Sequence, residues 1–363
     1  VRDAVVDASA DREAAIKEVA EIRAHVLPHF DGWDGAAVAR IGGGLINRSY
    51  LLTRGDGGRA VLQAVNGIFP PEMHGNIAAV TERLAAAGLV TPRLLPTRDG
   101  RPYVNAAGGG LWRLLSHIDG VSFDVVGSAD QARAAGELVG RFHAAVEGMT
   151  HAFVGMRVGV HDTPRHLARL EEAVATHAAH RLIADVQPLA RAILDGAATL
   201  APLPTLAPRV CHGDLKFNNI LFAGRTPPDD ARAVCLIDLD TVGPLSLAFE
   251  MGDAWRSWCN RAGEDDVNAV LDLEIMRASL NGYVAGLGRA LTADERGALL
   301  LGVEWVSLEL AARFAADALF ESYFGWDPAR FPGRGEHNLV RARGQWSLHQ
   351  SLVATRDARA SML

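Results

Sequence analysis

Three oxygen-bearing side chains, closely spaced and in a fixed order, carry the chemistry most legible in this chain. They lie in Val210-Cys-His-Gly-Asp-Leu-Lys-Phe-Asn-Asn-Ile-Leu-Phe222 and Cys235-Leu-Ile-Asp-Leu-Asp240. Phosphoryl transfer from ATP needs a carboxylate that orients a hydroxyl and oxygen ligands that hold Mg²⁺. In the pattern H-x-D-x-x-x-x-N, Asp214 is the candidate base and Asn219 a candidate metal ligand. Asp238, after a short apolar stretch, is the candidate main metal ligand on the donor phosphates. Each residue alone fits a β-hairpin with polar ends. The three together, in this order, favour the phosphoryl-transfer reading.

Neighbouring residues extend the set. Lys216, two positions after Asp214, is placed to follow charge onto the transferring γ-phosphoryl group. His212 reads as a buried histidine that orients the loop, and Asp240 as a residue that bonds the following turn. Of Glu250 and Asp253, one is expected to brace the catalytic loop from below. Upstream, Ile41-Gly-Gly-Gly-Leu-Ile-Asn-Arg-Ser-Tyr50 offers a glycine loop. Backbone N–H groups at Gly43 and Gly44 can close on phosphate oxygens, and Asn47 and Ser49 can add donors. A plain hairpin turn is the alternative there.

These groups need a scaffold. Asp11–Val26 reads as an amphipathic helix ended by Pro28 and Asp31-Gly32. Short strands follow at Ala37–Ile41, Asn47–Thr53 and Arg59–Val65, separated by glycine-rich turns. A helix is expected over Met73–Ala87, then strands at Arg93–Thr97 and Leu111–Ile118. Beyond Gly120 the pattern is helical over Ala129–Glu147, Thr163–His180, Ile183–Leu200, Asp265–Ala285, Ala293–Ala316 and Leu339–Ala354. Strand signals there are confined to Arg209–Cys211, Ile220–Phe222 and Val234–Ile237. The plan is α+β: an N-terminal helix (1–30), a small antiparallel-sheet N-lobe (31–117) that binds nucleotide, and a mainly helical C-lobe (118–363) with the catalytic loop and acceptor site.

Composition narrows the partners. With 363 residues, 49% of them apolar, the chain can fill sizeable cores. The net charge of −7 and the lack of a basic run argue against nucleic acid. No apolar run spans a bilayer, and the acidic first residues do not read as a signal peptide. Cys211, Cys235 and Cys259 have no paired spacing, which fits a reducing, cytoplasmic setting. A small-molecule acceptor and a monomer or dimer are expected.

The motifs resemble the aminoglycoside phosphotransferase and choline kinase-like family, with a bilobal protein kinase-like fold. The resemblance covers most of the chain from about Val38. Flanking segments are similar to the N-acetylhexosamine 1-kinase branch: Val61-Leu-Gln-Ala-Val-Asn66, Leu111-Trp-Arg113, Val160-His-Asp-Thr163 with Arg165, Ile237–Val242, Met251–Arg256, Arg313–Asp317, Tyr323-Phe324 and Asn338–Gln345. The resemblance implies ATP and Mg²⁺, and a sugar phosphorylated at its anomeric hydroxyl. It implies that adenine meets backbone of Ser116-His117-Ile118 between the lobes, and that Arg313, Asp317 and Tyr323 contact the acceptor. On periodicity alone Arg313 and Asp317 are an i,i+4 ion pair. Where kinases place a lysine on the third strand this chain has Gln63, so its nucleotide is expected to rely more on Mg²⁺, Lys216 and the glycine loop. On that reasoning Gln63→Lys is expected to be tolerated or to tighten ATP binding. Gly243-Pro-Leu-Ser, Phe249-Glu and Ala315-Ala316 depart from the branch near the acceptor. A kinase of choline, homoserine or an aminoglycoside, and a nucleotide-binding pseudokinase, are the alternatives.

Overall fold

Alternation of buried and half-buried positions builds the sheet of the first of two units. The computed structural model describes residues 8–42, 47–106, 109–156 and 159–363, in two units: Val1–Asp119 with His151–Gly155, and Gly120–Thr150 with Met156–Leu363. In the first, β1 (Ala37–Ile41), β2 (Arg48–Thr53), β3 (Arg59–Val65), β4 (Leu94–Leu95), β5 (Val104–Asn105) and β6 (Leu111–Ser116) form an antiparallel sheet. Its order is β1-β2-β3-β6-β4, with β5 also on β6. Tyr50, Leu52, Leu62, Trp112 and Leu114 form one face, packed with Ile22 of helix α1 (Ala8–His25), Phe30 and Trp33. The opposite face carries two cross-strand rows, Ser49–Gln63–Arg113 and Leu51–Val61–Leu115. Helix α2 (Met73–Ala86) follows β3.

In the second unit, helix α3 (Ala129–Val146) packs on α7 (Leu273–Leu287) through a reciprocal pair of small-residue steps. A Cβ at Gly136 or Gly140 would stand 2.0 Å from Ser279 O or 2.2 Å from Tyr283 O. From the other side, a Cβ at Gly282 or Gly286 would meet Arg133 O at 1.9 Å or Glu137 O at 2.0 Å. The two backbones approach so closely that only glycine fits. Between these helices in sequence come α4 (Thr163–Thr176), α5 (Ile183–Ala197), the strands β7 (Arg209–Cys211), β8 (Ile220–Phe222), β9 (Ala233–Leu236) and β10 (Gly243–Leu245), and α6 (Leu247–Trp258). β8 pairs with β9 and β7 with β10, both antiparallel. α8 (Ala293–Phe320), α9 (Arg334–Ala354) and the short α10 (Arg356–Ala360) complete the helical body.

Several boundaries move for local reasons. α7 begins at Leu273 rather than Asp265 because the Asp272 carboxylate caps the N–H groups of Glu274 and Ile275. α8 runs past Ala316 to Phe320, where Glu321 turns left-handed at φ 50°. α6, which was not expected, buries Leu247, Ala248, Met251, Ala254, Trp255 and Trp258 at helical spacing. Among the described residues no helix is long and apolar enough to cross a membrane.

Candidate active site

The loop from β7 to β8 is held from below by one carboxylate. Glu250 of α6, 1% exposed, accepts the His212 N–H at 2.8 Å on Oε1 and the Gly213 N–H at 2.9 Å on Oε2. Burial alone pushes the Glu250 carboxyl up, but His143, His212 and the Gly213 N–H together hold it below the usual carboxylate range. Gly213 turns at φ 83°, and a Cβ there would lie 2.7 Å from Thr241 O, so this step requires glycine. Thr241 Oγ1 in turn donates to His212 O at 2.8 Å. The fully buried His212 contacts Ile237 O through Nε2 at 2.9 Å, and its Nδ1 lies 3.3 Å from the Asp214 N–H. A proton on Nε2 satisfies both bonds. Trp258 Nε1 donates to Leu215 O at 2.7 Å, which makes that tryptophan a support of the loop.

The loop thus presents Asp214, Lys216 and Asn219 together. Lys216 Nζ lies 3.0 Å from Asp214 Oδ1. Burial disfavours its charge, but the Asp214 carboxylate and Asp253 outweigh that and raise its pKa above the ordinary lysine value. Asn219 Nδ2 donates to Asp214 O at 2.8 Å and to Asp214 Oδ2 at 3.2 Å, which turns its amide oxygen the other way. Ile237 N–H donates to Asn219 O at 2.9 Å, tying Asn219 to the strand end that carries Asp238. Asp238 itself sits at φ 63°, ψ 58°, a left-handed conformation rare for a residue with a Cβ. Strain of this kind gathers at working sites.

Beyond Lys216 runs a line of matched charges. Arg256 reaches Asp253 at 2.7 Å and Glu264 at 3.1 Å. Burial pushes the Asp253 carboxyl up, but Arg256, with His161 and Lys216, holds it below the usual range. Fully buried Glu309 of α8 takes His161 Nδ1 at 3.1 Å, Thr163 Oγ1 at 2.7 Å and, more distantly, Arg313 Nη1 at 3.9 Å. His161 stacks on Phe249, and the Arg313 guanidinium lies 5.9 Å from the centre of the Tyr323 ring.

Arg313 and Asp317 therefore do not form the i,i+4 pair that their spacing suggests. The nearly buried Asp317 instead accepts the N–H groups of Ser322, Tyr323 and Phe324 at 2.8–3.0 Å, and Asn338 Nδ2 at 2.8 Å. It shapes the turn that carries Tyr323, which is largely exposed. The acidic Glu264-Asp265 step is bonded internally: Glu264 to Arg256, Asp265 to Arg330 and His337.

In the first unit, Gln63 Nε2 donates to Ser49 Oγ at 3.1 Å, and its Oε1 accepts Arg113 Nε at 2.9 Å. Asn47 Oδ1 accepts the Asn66 N–H at 2.9 Å and so joins the ends of β2 and β3. Ser116 is tied to Arg93, its N–H donating to Arg93 O at 2.8 Å and its Oγ accepting the Arg93 N–H at 2.8 Å. Ile118 follows in irregular backbone, while Gly43 and Gly44 lie outside the described residues. The sequence reading assigned no role to Arg113, Arg256 or Glu309, and gave His161 one only as part of the run Val160–Arg165 expected on the acceptor wall. Their types were visible, but the strand register and helix faces that pair them were not.

The sequence profile of the phosphotransferase enzyme family matches residues 37–287, more than half of the chain. The chain belongs to the phosphotransferase enzyme family. Its reaction class is phosphoryl transfer to an alcohol group. A homoserine kinase of Zymomonas mobilis is 26% identical over 274 residues, covering 76% of this phosphotransferase and 79% of the relative. Among solved structures, a microcompartment-associated aminopropanol kinase superposes with TM-score 0.61 at 21% identity, covering 94% of this chain and 98% of the other. An aminoglycoside phosphotransferase from Alicyclobacillus acidocaldarius gives 0.58 at 18% identity, covering 90% and 95%. These similarities show the kinase-like α+β fold.

Proposed function

We propose that this phosphotransferase moves the γ-phosphoryl group of ATP to the anomeric hydroxyl of a hexose or N-acetylhexosamine. The observation that carries the acceptor class is the charge-matched line beyond Lys216. Each acid there faces a base: Asp214 with Lys216, Asp253 and Glu264 with Arg256, Glu309 with His161 and Arg313. A neutral polyol exchanges hydrogen bonds with such a line, whereas a polycationic acceptor requires uncompensated acid charge. Arg313 and Tyr323 are the proposed sugar contacts, with Asp317 fixing the turn beneath Tyr323.

Asp214 accepts a hydrogen bond from the acceptor hydroxyl and takes its proton late, because a loose transition state depends on positioning more than on base strength. Lys216 stabilises the charge that gathers on the transferring group. Asn219 and Asp238 supply the hard oxygen donors that suit Mg²⁺, and the orientation of the Asn219 amide supports that fit. When bound, the ion neutralises phosphate charge. Backbone at Gly43, Gly44, Ser116 and Ile118, with the side chains of Asn47, Ser49 and Gln63, is assigned to the nucleotide.

Homoserine is the second reading, favoured by the similarity to the Zymomonas mobilis kinase. Arg313 is suited in charge to an amino acid's carboxylate. ATP-consumption assays across hexoses, N-acetylhexosamines, homoserine, choline and aminoglycosides separate the readings, with phosphorus NMR of the product. A sugar 1-phosphate is expected, with steep losses for deoxy-sugars, since a site built for hydroxyls rejects analogues that lack them. Faster turnover of any amine than of every sugar overturns the acceptor assignment.

A further inference from the structure

The row Ser49–Gln63–Arg113 crosses β2, β3 and β6 on the face of the sheet opposite its core. Arg113 is 1% exposed, and its Nε–H bond to Gln63 Oε1 sets the amide with oxygen toward β6 and NH₂ toward β2. A guanidinium keeps its charge at any pH the protein meets. A permanent cation therefore stands directly across the ladder from the third-strand position where kinases carry lysine. One side-chain repeat along the strands, about 6–7 Å away, lies the half-buried apolar row Leu51–Val61–Leu115. The face thus sets an apolar strip beside a polar strip that includes the Arg113 guanidinium. A nucleotide presents its base and its phosphates in the same succession.

We propose that Arg113 holds the charge of the donor nucleotide's polyphosphate, with Gln63 as the residue that orients the guanidinium. The cation of the third strand has moved to the adjacent strand, and an amide has taken its place. This rests on the nucleotide-donor reading above. It also reverses the expectation for Gln63→Lys: an ammonium at that position would stand against the Arg113 guanidinium, so the substitution weakens nucleotide binding instead of being tolerated.

The test is a charge relocation. ATP, ADP and adenosine are titrated calorimetrically into the wild type, Arg113→Gln, Gln63→Lys and the double variant Gln63→Lys/Arg113→Gln, with melting temperatures recorded for each. Arg113→Gln is expected to weaken ATP and ADP by roughly 10- to 100-fold, the scale of a charge-assisted hydrogen bond, and adenosine by about twofold or less. Gln63→Lys alone weakens ATP, and the double variant recovers most of that loss. Equal losses for ATP and adenosine, ATP binding by Arg113→Gln that matches wild type, or a double variant no tighter than Gln63→Lys each overturn the proposal. If Arg113→Gln does not fold, the comparison of Gln63→Lys with the double variant decides alone. A wild type that binds adenosine but prefers no phosphate-bearing ligand removes the role of Arg113 and leaves the base strip standing. A wild type that binds none of the three overturns the donor reading, and this proposal with it.

Discussion

Replacing Glu250 by Gln preserves side-chain volume and removes one acceptor from beneath the catalytic loop. In the wild type the two oxygens accept the N–H groups of His212 and Gly213 at 2.8 and 2.9 Å. The amide has one oxygen and one NH₂, so one loop N–H must face another donor. A hydrogen bond to a charged group contributes ~1.5–3 kcal/mol, and a buried donor left unsatisfied costs ~1–3 kcal/mol. With one bond weakened and one lost, a destabilisation of about 2–4 kcal/mol is expected. For a body of this size that is a fall in Tm of roughly 5–15 °C. The loop carries Asp214, and a misplacement of about 1 Å costs on the order of 10²-fold in rate, so kcat falls by that order.

The pH dependence has a definite sign. The Glu250 pKa is held below its ordinary 4.5 in the folded protein. Its contribution is therefore fully present above about 4.5 and is lost as pH falls through the folded value. Urea denaturation of wild type and Glu250→Gln should show a stability gap that narrows as pH falls below about 4.5. A gap that widens below about pH 5, or a variant with wild-type kcat and stability, refutes the reasoning.

Three further outcomes are expected. Asp214→Asn should lower kcat by roughly 10²–10⁴-fold with ATP affinity nearly unchanged, measured by steady-state kinetics and calorimetry; near-normal turnover removes Asp214 as the base. Asp238→Ala should abolish the Mg²⁺-dependent gain in ATP affinity, and an unchanged gain would move the metal ligand elsewhere, with Asp240 next in line. Gly282→Ala places a methyl 1.9 Å from Arg133 O and should destabilise the α3–α7 pair by several kcal/mol, read from denaturant midpoints; a loss below about 1 kcal/mol contradicts the close approach.

What could be read of the fold follows from how local each signal is. β1, β3, β7 and β8 form where their alternation and flanking turns place them, because a strand's inward and outward residues are adjacent in sequence. α6 keeps a helical spacing too, with Leu247, Ala248, Met251, Ala254, Trp255 and Trp258 on one side and Glu250, Asp253 and Ser257 on another, but its acids were taken singly rather than as one helix face. The start of α7 was hidden for another reason. Helical periodicity extends upstream of Leu273, but the Asp272 cap interrupts it, and the cap is visible only once its two N–H partners are known. β5 has two residues and no period at all.

The site divides along the same line. Asp214, Lys216, Asn219 and Asp238 were legible because a single turn and one strand end bring them together, which compresses their spacing into a motif. The residues that hold them are remote: Glu250 lies on α6, and Trp258 at its end reaches Leu215. Gln63 illustrates how a local reading misleads. Alone on β3 it looks like the loss of a cation, yet the register of β6 puts Arg113 against it at 2.9 Å. Asp317 misleads in the opposite sense, since its spacing from Arg313 suggests an ion pair while its oxygens close a turn from Ser322 to Phe324. In both cases the side chain's partner is chosen by tertiary register, which residue spacing does not encode. A sequence motif therefore identifies the groups proposed to react, and the charges around them must be sought among residues that share no motif with them.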